Sequence, residues 1–292
     1  MFIATLVAEG LTAGQLSEAA DRLAGVDCAP ESWRWLEEGM AADLPFALQP
    51  EAAREALEGA FPAVDIFVQP DQGREKKLLI ADMDSTMITV ECIDELADYA
   101  GIKDQIAAVT EQAMRGELDF AAALDARVAL LAGLEESAID RCLAERVRLS
   151  PGAATLVRTM RARGALTILV SGGFTRFADP VGAEIGFERV IANRLVIADA
   201  RLNGMVEKPI VDSATKETTL VGAAAERGLE LRETLAVGDG ANDLAMIRRA
   251  GLGVAYRAKP IVAAAAGARV DHGDLTALLY AQGIARAEWV TH

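Results

Sequence analysis

Basic side chains are scarce in this sequence: 29 lysines and arginines stand against 44 aspartates and glutamates, a formal net charge of −15. That balance argues against nucleic acid as a partner, because phosphate backbones are held by clustered Lys and Arg that the chain does not have. Histidine is rarer still, and His272 and His292 are too few and too peripheral to carry acid–base work. Cys28, Cys92 and Cys142 are odd in number and widely scattered, which excludes a disulfide framework or a thiolate metal site and leaves buried thiols. No apolar run approaches the roughly 18 residues that a membrane-spanning helix needs. The opening "MFIATLVAEG" has neither the basic flank nor the cleavage site of a signal peptide, so no membrane partner and a cytoplasmic location are expected.

What is present is apolar: 52% of 292 residues, enough for one large core and a second small one. The charge is unevenly spread. Residues 1–75 hold 14 acids against 4 arginines and no lysine, net −10, which leaves −5 for the rest. The shift suggests a boundary at "QPDQGREKK", where Pro, Gly and charges cluster. Before it, "FIATLVA" reads as a strand, "AGQLSEAADRLAG" and "PEAAREALEGAF" as helices and "VDIFVQ" as a closing strand, the order of a small α+β module. Trp33 and Trp35 are expected to pack inside it. No grouping there suggests chemistry, so structural support, dimerisation and ligand sensing stay open, and a homodimer is compatible with the module.

After the boundary, strands alternate with helices: "KLLIAD", then "ALTILVSGG", "RVIANRLVIADARL", "TLAVGDG" and "GLGVAY". Short apolar runs without polar alternation indicate parallel strands buried on both faces, hence a doubly wound α/β domain over 76–292. In such sheets functional residues collect at the carboxyl ends of the strands. Three runs end in candidates: Asp82 and Asp84, Ser171 to Gly173, and Asp239 to Asp243. The stretch from about 89 to 150 is helical throughout, longer than a crossover requires, and reads as a helical cap inserted above that edge. Gly101, Gly116 and Gly133 are its expected helix stops.

Convergence of the Asp82, Asp84, Asp239 and Asp243 carboxylates in a dry site requires a positive partner. A hard dication with oxygen ligands meets that need, and Mg²⁺, held by one or two carboxylates with substrate phosphate and water, fits it best. The plain alternative is turn aspartates capping helices. "SGGF" at 171–174 offers a hydroxyl and free backbone N–H groups where a helix opens, a preformed anion site. Lys216, in "DSATKETTL", either adds positive charge to the same oxygens or is a solvated helix lysine. Arg127 lies at helical spacing from Phe120, Leu124 and Leu131, out of pattern on an apolar stripe, so it either points into a cap cavity or snorkels outward. Glu91 stands in a first helical turn, where acids are favoured whatever the function.

Asp82-Met83-Asp84-Ser85-Thr86, Ser171, Lys216 and Gly238-Asp239-Gly240-Ala241-Asn242-Asp243 resemble, in order and spacing, the four motifs of the haloacid dehalogenase (HAD) superfamily of phosphatases. "DMDSTMITVECIDELADYAG", "AMRGELDFAAALDARVALL", "LVSGGF", "ANRL" and "AVGDGANDLAMIRRAGLGVAYRAKP" resemble the branch that hydrolyses phosphoserine in bacterial serine biosynthesis. Residues 1–75 are similar in size and element order to the ACT-like domain that precedes such enzymes in many bacteria. The resemblance implies a HAD-like (Rossmannoid) sheet with an inserted cap and a Mg²⁺-dependent hydrolysis of O-phospho-L-serine through an aspartyl-phosphate. It makes Asp82 the nucleophile and Asp84 the general acid and later base. Mg²⁺ is assigned to Asp82, Asp84 through its carbonyl, and Asp239, with Asp243 orienting them. Lys216, Ser171, Gly172 and Asn242 are assigned to the phosphate, and Glu91 and Arg127 to the ammonium and carboxylate of the amino acid. Turnover of another small phosphorylated amino acid, such as phosphohomoserine or phosphothreonine, by a phosphatase or phosphotransferase is the alternative.

Overall fold

The computed structural model describes residues 1–115 and 117–291; Gly116, expected to stop a helix, and His292 lie outside the described residues. The chain opens with β1 (Phe2–Val7), α1 (Ala13–Gly25), β2 (Arg34–Glu37), β3 (Ala41–Phe46), α2 (Pro50–Leu57) and β4 (Asp65–Pro70). These four strands form an antiparallel sheet in the order β2-β3-β1-β4. Alternate residues serve opposite faces. Ala4 and Leu6 pack with Leu16 and Leu23 of α1 and Leu57 of α2, while Val7, Ala41 and Phe67 turn to the larger core. Sequence pattern alone gives this module two strands; β2 and β3 are additional. Trp33 and Trp35 do pack there, edge to face with ring centroids 5.5 Å apart.

The larger sheet is parallel and six-stranded, with β5 (Leu78–Ala81), β6 (Leu166–Phe174), β7 (Arg189–Asn193), β10 (Thr234–Gly238), β11 (Leu252–Tyr256) and β12 (Ala268–Val270) ordered β12-β11-β10-β5-β6-β7. Leu78 and Ile80 face one side, with Leu220 and Ala224 of α9 (Ser213–Glu226) and Ile247 of α10 (Leu244–Arg249). Leu79 and Ala81 face the other, with Leu156 and Met160 of α7 (Ala153–Ala162) and Phe177 of α8 (Thr175–Ile185). Burial on both faces is why these strands read as unbroken apolar runs. Each buried Leu or Ile contributes about 1.5–3 kcal/mol. Two departures from the sequence expectation appear here. β12, too short to show a pattern, forms the sheet edge. "RVIANRLVIADARL" is not one strand: the chain leaves the sheet after Asn193 and folds into an antiparallel hairpin, β8 (Leu195–Ala198) and β9 (Arg201–Val206).

Between β5 and α7 stand four helices, α3 (Cys92–Ala100), α4 (Lys103–Met114), α5 (Phe120–Leu130) and α6 (Glu136–Arg146). Gly101 caps α3 in the left-handed region at φ 69°. Gly133 lies three residues beyond α5 and donates its N–H to Leu202 of the hairpin at 2.8 Å; Leu202 N–H returns to Leu134 at 2.9 Å. Arg176 of α8 ties α6 to the sheet domain through Glu136 at 3.1 Å and Asp140 at 2.8 Å. The smaller sheet is fixed from below as well: buried Asp65 accepts the N–H groups of Asp271, His272 and Gly273 at 2.7–3.2 Å, and Arg74 holds Asp43 in a bidentate pair at 2.7 and 2.9 Å. α11 (Pro260–Ala263) and α12 (Ala277–Ala281) complete the α-helices among the described residues.

Candidate active site

Parallel register brings the chemistry to one edge. Ala81 pairs with Val237 on one side and Leu169 on the other, so β5 and β10 end within a residue of each other, while β6 runs on past them through Ser171 to Phe174. Asp82 continues the ladder by donating its N–H to Val237 at 3.0 Å. Beyond it the chain turns through Ser85, whose φ of +56° is a strained conformation for a residue with a Cβ. That turn delivers Ser85 Oγ to Glu91 Oε1 at 2.6 Å and the Cys92 N–H to Asp84 Oδ1 at 2.9 Å. Asp84 also lies against Gly173, where a Cβ would meet its Oδ2 at 2.8 Å. Only glycine leaves this carboxyl its place.

A cavity of about 500 Å³ opens between this edge and the cap. Asp82, Asp84, Gly172, Asp239 and Asn242 line it from the sheet edge, its floor; Phe120 and Arg127 line it from α5 of the cap, and Glu91, just before α3, lines it beside Ser85. Arg127 donates Nε to the Ala123 carbonyl of its own helix at 3.2 Å. Its side chain lines the cavity, the first of the two placements its helical spacing allows. Ser171, Lys216 and Asp243 lie behind the floor, each fully buried. Ser171 Oγ accepts the Gly173 N–H at 2.8 Å.

Lys216 is the positive partner that the clustered acids require. Its ammonium contacts Asp82 and lies 2.6 Å from Asp243 Oδ1. Burial alone would lower its pKa, but Asp82 and Asp243 outweigh burial and raise it, so the charge is retained. Burial, then the Asp243 charge, push the Asp82 carboxyl up, with Lys216 pulling the other way. Asp84 is raised from 3.8 to about 7 by burial and then by Glu91. Asp239 is raised to about 6 by burial, then Asp243 and Glu91, with the Thr86 hydroxyl, 3.2 Å from its Oδ1, opposing.

Asp82, Asp239 and Asp243 each place a carboxylate oxygen within 4.8 Å of the others. Asp243 is committed elsewhere, accepting Lys216 and the N–H groups of Asp239 and Gly240 at 3.2 and 3.0 Å. Two hard oxygen donors, from Asp82 and Asp239, thus remain facing the cavity. That donor set fits a hard dication. Three contributors lie within the quoted motifs but have no assigned role there: Thr86, bonded to Asp239; Lys259, which lines the cavity; and Asn193, buried beside Gly172. Of these, Asn193 had a signal, the "ANRL" segment at a strand's carboxyl end.

An acid-lined pocket at the carboxyl edge of a doubly wound sheet, with a lysine joining its aspartates and a helical cap above, defines a class of hydrolase. Residues 79–248 match the family of haloacid dehalogenase-like hydrolases, and the chain belongs to that family. Among curated relatives, the phosphoserine phosphatase of Streptomyces coelicolor is 47% identical over 245 residues, covering 82% of this chain and 60% of that protein. The phosphoserine phosphatase of Albidiferax ferrireducens is 44% identical over 218 residues, covering 73% of this chain and 92% of its own. The chain thus spans about three fifths of the length of the Streptomyces relative and most of the Albidiferax one. Of solved structures, a HAD-family hydrolase from Salmonella enterica serovar Typhi superposes over 98% of this chain and 99% of its own, with a TM-score of 0.85 and 30% identity. A substrate-bound phosphoserine phosphatase covers 70% of this chain and 97% of its own, with a TM-score of 0.65 and 35% identity. Among the described residues, no helix is long and apolar enough to cross a membrane.

Proposed function

We propose that this chain is a Mg²⁺-dependent phosphatase that hydrolyses O-phospho-L-serine to L-serine and phosphate, the closing step of serine biosynthesis in the cytoplasm. One observation carries the reading: a single cavity is lined both by Asp82, Asp84 and Asp239 at the sheet edge and by the opposite charges Glu91 and Arg127. A phosphate dianion joined to a zwitterion is complementary to that distribution. The relatives' names fit the same substrate.

Asp82 Oδ attacks phosphorus in line; an O–P bond forms as the bond from phosphorus to the serine oxygen breaks. The leaving oxygen takes the proton of Asp84, whose pKa, raised to about 7, leaves a substantial protonated fraction at neutral pH. Water then attacks the aspartyl-phosphate, and the ionised Asp84 accepts its proton, which regenerates both carboxyls. Lys216 holds Asp82 in place and offsets charge on the phosphoryl oxygens. Ser171, Gly172 and Asn242 orient the phosphate from the turn and from the segment after β10. Mg²⁺, held by Asp82, the Asp84 carbonyl and Asp239 with Asp243 orienting them, would neutralise phosphoryl charge when bound. Glu91 and Arg127 receive the ammonium and the carboxylate of serine.

Residues 1–75 are read as a separate ACT-like module and 76–292 as the phosphatase domain with its cap at about 89–150; a homodimer is compatible with that division. The testing experiment is phosphate release from a panel of phosphorylated amino acids and sugars, with and without chelator. Preference for phosphoserine, lost with EDTA, is expected. Preference for a sugar phosphate would defeat the substrate assignment, and phosphohomoserine or phosphothreonine would redirect it.

A further inference from the structure

The site's anion-binding turn and its lysine come from different parts of the chain, and one buried amide joins them. β7 ends at Asn193, 2% exposed. Its Nδ2 donates to the Gly172 carbonyl at 2.8 Å and to the Val211 carbonyl at 3.5 Å, and its Oδ1 accepts the Val211 N–H at 2.7 Å. Gly172 sits in the turn that ends β6. Val211 precedes Asp212, which caps α9 by accepting the Thr215 N–H at 2.8 Å, and α9 carries Lys216. No other side chain bonds to both segments among the described residues.

The register between β6 and β7 explains why such a link is needed. Ser171 pairs with Ala192 and Phe174 with Asn193, so the chain bulges between Ser171 and Phe174 and the Gly172 carbonyl has no ladder partner. Gly172 is half-buried at the cavity wall, and without Asn193 its carbonyl would have no partner among the described residues. Asn193 captures it. In a trans peptide the C=O and the following N–H point in opposite directions. Pinning the Gly172 carbonyl toward Asn193 therefore turns the Gly173 N–H the other way, toward Ser171 Oγ at 2.8 Å. Only a primary amide performs both tasks here: a carboxylate cannot donate to Gly172, and an aliphatic side chain can do neither.

We propose that Asn193 is a positioning residue for the phosphoryl subsite. It fixes the Gly172–Gly173 peptide plane and locks that turn to the segment that launches the Lys216 helix, without touching substrate itself. The proposal rests on the phosphatase reading and adds a determinant of phosphate affinity that is independent of the amino-acid end.

The test is calorimetric binding of orthophosphate in Mg²⁺ buffer to the full chain and to Asn193→Asp, with L-serine titrated separately. Asn193→Asp keeps the volume and the bond from Val211 but sets an oxygen against the Gly172 carbonyl. Orthophosphate affinity is expected to fall about tenfold while that for L-serine stays within about twofold. Unchanged orthophosphate affinity in a folded variant overturns the proposal, and so does equal weakening of both ligands. Asn193→Ser, which keeps a short donor, serves if Asn193→Asp does not fold. Failure of both to fold overturns it too, since the residue would then be holding up the fold and not the site. Orthophosphate binding is read directly, so a wild type that ignores L-serine and phosphoserine sinks the substrate assignment and leaves the Asn193 result standing.

Discussion

Lys216 Nζ lies 2.6 Å from Asp243 Oδ1, and neither side chain has any solvent exposure. The same ammonium contacts Asp82, so one cation sits between two buried acids and is held in its charged form by both. Removing one member of such a group leaves uncompensated charge in the interior. Lys216→Met is therefore expected to destabilise the metal-free protein by about 3–5 kcal/mol in urea titrations with EDTA present. Mg²⁺ should restore part of that loss by supplying positive charge to Asp82.

Asp82→Asn keeps the shape of the side chain and removes the nucleophile. Turnover is expected to fall by on the order of 10³ or more, since the amide cannot form the acyl-phosphate. Intact-mass spectra of acid-quenched reactions should show a phosphorylated wild type and none of it in the variant. A phosphorylated Asp82→Asn protein would place the nucleophile elsewhere.

The acids of this site were legible because each follows a buried strand whose apolar run is unmistakable, and parallel strands deliver their carboxyl ends to one edge. Lys216 was harder: "DSATKETTL" is polar, and the lysine is buried only because Asp82 and Asp243 arrive from β5 and β10 to meet it. β3 hid for a related reason. It carries Asp43 and Pro45, and Asp43 can be buried there because Arg74 and Thr5 pair with it across the fold. The hairpin β8–β9 was missed because the apolar pattern runs on past Asn193, and what diverts the chain is its long-range bonding to the cap at Gly133 and Leu134. Local pattern reports which face is apolar; it does not report a partner drawn from elsewhere in the chain.

Arg127 and Glu91 can be separated by substrates that lack one charge each. Arg127→Ala should raise KM for phosphoserine by about 10- to 100-fold, the loss of a charge-assisted pair in a partly enclosed cavity. The same variant should leave phosphoethanolamine, which has no carboxylate, nearly unaffected. Glu91→Gln should weaken phosphoserine and spare 3-phosphoglycerate, which has no ammonium. Steady-state kinetics on the four pairs decides it, and equal loss on every substrate would make these residues structural.

The raised carboxyls also fix how stability follows pH. Asp84 and Asp239 move from 3.8 to about 7 and about 6, so the folded protein holds protons that the unfolded chain has already released. Between about pH 4 and 7 the native state then binds more protons than the unfolded state, and unfolding free energy falls as pH rises. Below 3.8 both states are protonated and the contribution is fully present; it is lost as pH climbs through the folded values. Metal-free protein should accordingly melt at a lower temperature at pH 8 than at pH 5. Mg²⁺ competes with those protons for Asp239, so its stabilising shift should be larger at pH 8. Thermal melts at both pH values, with EDTA and with Mg²⁺, check the sign. A Mg²⁺ shift that is equal at pH 5 and pH 8 would mean that the dication does not bind at these carboxylates.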